Sequence, residues 1–230
     1  MDISDKQNPR FTNKTYLSSA SPYEMKIVGN YLYVADSTKG LVIIDLENET
    51  VLYQDNLSSY KYLDVVGNYA YLAGYTYFYI YDVSNPSNPV QVARYNINSN
   101  SSAIYAVGNR LYVGSSDKKL YIFDISTPAA PVLLNLDGFD CGGYIYDISG
   151  SETSIFISTN NSVKKLNTSD INNIEIAGSI SISYAYGLAR NGSALFASAD
   201  REISSISLSN FSRNYKISPS GYRFQDIEIL

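Results

Sequence analysis

Histidine and tryptophan are absent from this sequence, and cysteine occurs once. Without histidine there is no Ser-His-Asp or Cys-His triad and no His-ligated zinc or copper site. The single Cys141, in "DGFDCGGY", excludes an internal disulfide. With no imidazole to activate it, its thiol reads as a small buried hydrophobe. Charge is sparse too: 17 basic against 22 acidic residues leave a net −5, which argues against a nucleic-acid partner. No apolar run reaches membrane-spanning length and no basic amphipathic segment occurs, so direct membrane insertion is not expected. The acidic residues form no dense loop of calcium-ligand spacing; neither metal nor cofactor is expected.

What the chain does contain is tyrosine, at 23 of 230 positions, and a repeat. "KIVGNYLYVADSTKGLVIIDLEN" (26–48) aligns with "DVVGNYAYLAGYTYFYIYDVSN" (64–85) and with "YAVGNRLYVGSSDKKLYIFDIST" (105–127). Two weaker copies follow, "DISGSETSIFISTNNSVKKLNTS" (147–169) and "NGSALFASADREISSISLSN" (191–210). Glycine recurs at Gly29, Gly67 and Gly108, an aromatic at Tyr33, Tyr71, Tyr112, Phe156 and Phe196, and an acid at Asp45, Asp82 and Asp124 that becomes Asn167 and Ser207. A unit of about 40–45 residues holding four short strands is the signature of propeller blades. Within one unit, "YLDVVG" and "YAYLAG" flank a Gly-Asn turn, "YFYIYDV" follows, and "VQVARY" closes after "SNPSNP", where the prolines interrupt no ladder. The repeated Asp reads as a turn cap. The repeated aromatics read as packing between blades, because a single ligand site would not require one aromatic in every unit.

The third-strand phrase "LVIID" (41–45) and its copies resemble the LVIVD repeat family, strongly over 23–134 and weakly over 143–210. The resemblance implies a β-propeller of the kind found in secreted and surface proteins, and it carries no catalytic residues with it. The expectation is therefore an all-β, single-domain propeller of four-stranded blades over residues 1–230. Its five recognisable repeats lie at about 23–55, 62–96, 103–137, 143–179 and 183–217. "MDISDKQNPRF" aligns with "YDVSNPSNPVQ", pairing Asp2 with Asp82, and predicts a fourth strand near 10–17. "YRFQDIEIL" aligns with "YKYLDVVGN", pairing Asp226 with Asp64, and predicts a first strand. Residues 1–19 and 218–230 are thus expected to be parts of one incomplete blade. Chain beyond residue 230, or a neighbouring molecule through head-to-tail strand addition, would complete it.

If the first strand of each blade is innermost, ligand contact is expected from the loops that precede first strands and join second to third strands. Tyr60, Tyr75, Tyr77, Phe139 and Asp140 are the candidates there, since aromatics beside carboxylates suit carbohydrate or protein surfaces. Lys26, Asp64, Tyr105 and Asp147 align on the first strands, with Asp226 equivalent, and are expected to ring an axial channel. Two carboxylates across a channel could perform glycoside hydrolysis, but the tryptophan that sialidase and quinoprotein repeats carry is missing. Asn-x-Ser/Thr occurs at Asn13, Asn48, Asn56, Asn100, Asn160, Asn167, Asn191 and Asn210, against roughly four expected by chance. The leading expectation is a non-enzymatic binding or scaffold module, extracellular or on a cell surface, that contacts protein or carbohydrate. The alternatives are a carbohydrate-active enzyme using channel carboxylates and a cytoplasmic protein-interaction propeller.

Overall fold

The computed structural model describes residues 19–56, 59–218, 224 and 227. The expected terminal strands, with Asn13 and Asp226, lie outside these residues. The described chain is all-β: five antiparallel sheets follow one another in sequence, each an up-and-down meander. The first holds β1 (Pro22–Val28), β2 (Tyr31–Asp36), β3 (Gly40–Asp45) and β4 (Thr50–Gln54). The second holds β5 (Tyr62–Val66), β6 (Tyr69–Gly74), β7 (Tyr77–Asp82) and β8 (Val90–Asn96). The third contains β9 (Ser101–Val107), β10 (Arg110–Ser115) and β11 (Lys119–Asp124), with β12 (Val132–Leu133) and β13 (Phe139–Asp140) both pairing β11. The fourth holds β14 (Ile145–Ser151), β15 (Ser154–Thr159), β16 (Ser162–Asn167) and β17 (Glu175–Ser181). The fifth holds β18 (Ala185–Asn191), β19 (Ala194–Ala199), β20 (Glu202–Ser207) and β21 (Arg213–Ile217).

Local chemistry explains why each unit folds alike. Gly29, Gly67 and Gly108 sit at φ +58°, +58° and +56°, the left-handed conformation that a two-residue hairpin demands of glycine. At the end of each third strand the recurring acid caps its own turn. Asp45, Asp82 and Asp124 accept the backbone N–H of Glu47 (2.8 Å), Ser84 (2.9 Å) and Ser126 (2.8 Å). Asn167 does the same for Ser169 at 3.1 Å. These hydrogen bonds hold all three Asp carboxyls below the usual range. The recurring acid is a turn device, as its spacing predicts.

The sheets stack so that each repeated aromatic enters the interface with the following sheet. Tyr33, Tyr71, Tyr112 and Phe156 are all buried, each within a different inter-sheet cluster. Burying each such side chain is worth about 1.5–3 kcal/mol. Phe196, in the last described sheet, is only half-buried. Here the expectation of a uniform packing role is corrected, because among the described residues no sixth sheet follows it. First strands of consecutive sheets lie side by side (β1 with β5, β5 with β9, β9 with β14, β14 with β18), so they occupy the narrow, inner end of the stack. The fourth strands lie at the outer edge. There a register shift recurs in the first, second, fourth and fifth sheets, opposite the same rung of the third strand. Such bulges twist an edge away from pairing with other chains. In the third sheet the fourth strand is broken instead. The Asn135 side chain stands in for it, accepting from Ile122 N (2.7 Å) and donating to Leu120 O (2.9 Å).

Candidate binding site at the inner mouth

The inner strands are fastened to one another by side chains expected to ring a channel. Asp64 ion-pairs with Lys26 across the first interface, and its Oδ2 accepts Ala106 N at 2.8 Å across the second. Tyr105 donates its hydroxyl to Gly150 O at 3.0 Å across the third. Asp147 accepts Leu188 N at 2.7 Å across the fourth, and Glu24 accepts Leu63 N at 2.6 Å across the first. Lys26, Asp64 and Tyr105 do share one rung, each opposite the repeated aromatic of its own sheet. Asp147 does not. The ladder puts Ser149 opposite Phe156 and Asp147 opposite Ser158, two residues nearer the strand's start and level with Glu24. The alignment misplaces Asp147 because it matches Gly150 to the turn glycines Gly29, Gly67 and Gly108, whereas the ladder carries β14 one residue past Gly150 and turns at Glu152–Thr153, two residues later. Both Asp64 oxygens and both Asp147 oxygens accept hydrogen bonds, including Val65 N and Ile148 N from the following residues. Their geometry is that of fasteners between sheets.

One bulge recurs on the inner strands. The register slips by one residue at Tyr23 in β1, Ser102 in β9, Tyr146 in β14 and Tyr186 in β18. Lys61, whose N–H bonds Ala73 O at 2.9 Å, holds the corresponding place before β5. A bulge re-aims the side chain it carries, and these side chains gather at the end where the inner strands begin. Lys61 Nζ lies 5.2 Å from the Tyr23 ring centre and 5.7 Å from that of Tyr75. Tyr144, Tyr146, Tyr186 and Tyr184 form a row with successive ring centres 5.1, 5.1 and 6.3 Å apart. Tyr62 of the second sheet lies close enough to Tyr144, beside the fourth, for the two phenols to interact. Burial, followed by the neighbouring Tyr144, raises the Tyr62 phenol, and burial among Tyr186, Tyr184 and Tyr144 raises Tyr146. Tyr23, Tyr75 and Tyr184 remain exposed.

Of the five expected contact residues, only Tyr75 joins this cluster. Tyr60 is a correction: it is fully buried, with its ring 5.1 Å from Tyr79 and its hydroxyl 2.9 Å from that of Tyr81, which in turn donates to Asp55 Oδ2. The loop position that suggested exposure is folded into the interface between the first two sheets. Tyr77 is half-buried beneath the Arg94 guanidinium, 3.7 Å from its ring centre. Phe139 is half-buried against the third core cluster and lines a separate cleft of about 450 Å³ with Leu134, Leu136 and Ile174. Asp140 is exposed and accepts Gly142 N at 2.8 Å. Cys141 is fully buried, and burial pushes its thiol up to about 12, in keeping with an inert packing role. The seven described sequon asparagines are all exposed. By strand direction Asn56, Asn100 and Asn160 lie at the mouth end, and Asn48, Asn167, Asn191 and Asn210 at the opposite end. The sequence did hold a signal for the mouth, in the repeated "YKY" (60–62), "YIY" (144–146) and "YAY" (184–186) before inner strands.

Stacked four-stranded meanders with inner strands side by side define a propeller-like β-repeat protein. The LVIVD repeat family model matches at residues 23–53, 61–97 and 99–135, so the chain carries LVIVD repeats through its first three sheets. No curated protein matches the sequence. Among solved structures, a computationally designed protein named Ika8 is similar in fold, with a TM-score of 0.67 at 12% identity. The match covers 92% of this chain and 66% of that one, so the chain spans just under two thirds of its length.

Proposed function

We propose that this protein is a non-catalytic binding module of a cell-surface or secreted protein, and that it engages protein or carbohydrate through the tyrosine-lined mouth. The observation that carries this reading is the recurrence of one bulge, at the same rung of the inner strands β1, β14 and β18, that brings Tyr23, Tyr146 and Tyr186 to the mouth, where Lys61 holds the corresponding place before β5. Packing alone would not need it, since the repeated core aromatics lie elsewhere in each sheet. Engagement of the Asp64 and Asp147 oxygens in fastening the sheets weighs against channel hydrolysis by these carboxylates. The five sheets are read as successive blades of a propeller, with the terminal segments contributing to a further one. In support, Met25 and Ile27 are 62% and 64% exposed, whereas Leu63 and Val65, at the same rungs of the next sheet, are each 3% exposed against their neighbour.

The test is adhesion of the labelled protein to cell envelopes of the organism that encodes it. Wild type is expected to adhere and a Tyr146→Ala/Tyr186→Ala double variant to lose adhesion. Tyr215→Ala, at an exposed site on the outer strand β21, should behave as wild type. Adhesion indifferent to the mouth substitutions would overturn the reading. The exterior location has its own check, the intact mass of native protein, in which glycans are expected on at least one sequon. Loop position alone would favour Asn56, Asn100 or Asn160. Because those three stand at the mouth end, mouth binding favours occupancy of Asn48, Asn167, Asn191 or Asn210 instead. An unmodified mass would favour an interior location or a host that lacks the pathway.

A further inference from the structure

We infer that the ligand class of the mouth is a carbohydrate chain; this rests on the mouth being the binding surface. The rings of Tyr144, Tyr146, Tyr186 and Tyr184 adjoin one another with centres 5.1 to 6.3 Å apart and successive planes inclined by 51°, 60° and 29°, a concentration of aromatic faces and edges at one end of the inner strands. A pyranose ring offers an apolar C–H face and a hydroxylated perimeter, and tyrosine matches both, with an apolar ring and a phenol that donates and accepts.

The surroundings separate a saccharide from a protein partner. Protein-binding patches centre on a largely apolar, desolvated core. At this end the exposed aromatics of the inner strands and their loops are Tyr23, Tyr75 and Tyr184; exposed aliphatics near them are few, with Met25 and Ile27 further along β1 and Ile217 at the end of the outer strand β21. Exposed aliphatics such as Leu46, Val51, Val90 and Val132 lie toward the opposite end. Two carboxylates at this end have their oxygens engaged within the fold, Asp147 by Ile148 N and Leu188 N and Glu24 by Leu63 N, while Asp140 is exposed. Lys61, held over Tyr23 and Tyr75, is placed to meet a carboxylate on an acidic sugar. The mouth therefore suits a neutral or uronic-acid-bearing chain whose sugars meet these tyrosines by their apolar faces and hydroxyls.

The experiment titrates the intact protein with cellohexaose, xylohexaose, chitohexaose and hexagalacturonate, by calorimetry and by NMR of the tyrosine rings. At least one hexasaccharide is expected to bind and to shift mouth resonances. Tyr184→Ser, at a half-exposed position where folding is not at stake, should weaken that binding by about tenfold or more. Tyr146→Ala should do likewise, with its far-ultraviolet spectrum and melting temperature confirming the fold. Lys61→Met should weaken hexagalacturonate alone. Binding by none of the four, or binding unchanged in both tyrosine variants, overturns the carbohydrate assignment. If the hexasaccharides fail while the mouth variants still abolish envelope adhesion, the mouth remains the binding surface and its partner is a protein.

Discussion

In the first three sheets the third-strand residue opposite the repeated aromatic is isoleucine, at Ile43, Ile80 and Ile122, and all three are fully buried. In the fourth and fifth sheets the same rung carries Lys165 and Ser205, both half-buried. The fourth and fifth sheets otherwise repeat the first: four antiparallel strands, a bulge at the start of the inner strand, and a bulge in the outer strand. The difference shows which features build a sheet and which only fill the space between sheets. Turn caps and strand alternation fix the meander, and they persist when the apolar third strand does not. The fourth interface instead gains Phe211, which stacks on Phe156 with centres 5.9 Å apart, and the Arg190 guanidinium 5.8 Å from the same ring. Apolar volume has moved from the strand to a turn, and the strand position has become permissive.

Exchanging the two residue types across that rung breaks the comparison most severely. Ile122→Lys would bury an ammonium among Leu120, Ile145 and Ile155 in a site with no anion to receive it, and an unpaired buried charge costs several kcal/mol. Chemical denaturation is expected to show a largely unfolded protein. Lys165→Ile, the reciprocal change, should alter stability by about 1 kcal/mol or less. Equal losses from both would mean that the fourth sheet is as strictly packed as the third.

Truncating the repeated aromatics is the next largest test. Tyr112→Ala removes a fully buried ring whose hydroxyl also donates to Glu152 O at 2.7 Å. It should cost about 3–5 kcal/mol, as should Tyr71→Ala. Phe196→Ala, half-exposed at the end of the series, should cost less than half as much. Melting temperatures of the three variants decide this. A Phe196 variant as unstable as the Tyr112 variant would show that another sheet covers Phe196 in solution.

The fasteners come third. Asp64→Ala leaves Ala106 N and Val65 N without their acceptor at a buried site and strips Lys26 of its partner, at a cost of about 1–3 kcal/mol. Asp147→Ala should cost a comparable amount, because it fastens the fourth sheet to the fifth in the same way. Urea unfolding of both variants tests whether the two halves of the molecule are held together equally.

Much of this is legible in the sequence because it is written in the backbone's own punctuation. The Gly-Asn turns, the capping acids and the recurring aromatics specify the meander and its packing face, and each stands where its spacing placed it. The mouth is less legible for two physical reasons. A glycine need not mark the turn: Gly150 lies within β14 and the turn falls at Glu152–Thr153, so matching glycines sets Asp147 beside Asp64 although it belongs beside Glu24. Loop position is also a poor guide to exposure. Tyr60 sits in a loop whose backbone folds inward, where its N–H bonds Asp36 O and its hydroxyl meets Tyr81. The repeated Tyr-x-Tyr before inner strands holds the information, but its meaning depends on which tyrosine the bulge turns outward.

The smallest effect, nil at neutral pH, separates the two regions by titration. The repeated aromatic is tyrosine in the first three sheets and phenylalanine in the last two, so only the first three interfaces hold a phenol at that rung. Burial, with smaller contributions from Tyr69 and Asp64, raises Tyr71 from 10.0 to about 12, and burial also raises Tyr33. A raised pKa means that the folded state holds this proton more tightly than the unfolded chain does. The contribution is therefore fully present below pH 10 and is lost progressively as pH climbs toward 12. Stability should fall over that window, and Tyr71→Phe should flatten the fall while leaving the neutral-pH melting temperature nearly unchanged. Phe156→Tyr is the converse, adding a buried phenol to the fourth interface and steepening the decline. Alkaline melting curves of the three proteins provide the measurement. A Tyr71→Phe curve that falls as steeply as wild type would place the alkaline sensitivity elsewhere, with Tyr81 or Cys141, whose buried hydroxyl and thiol are also raised, as the groups to replace next.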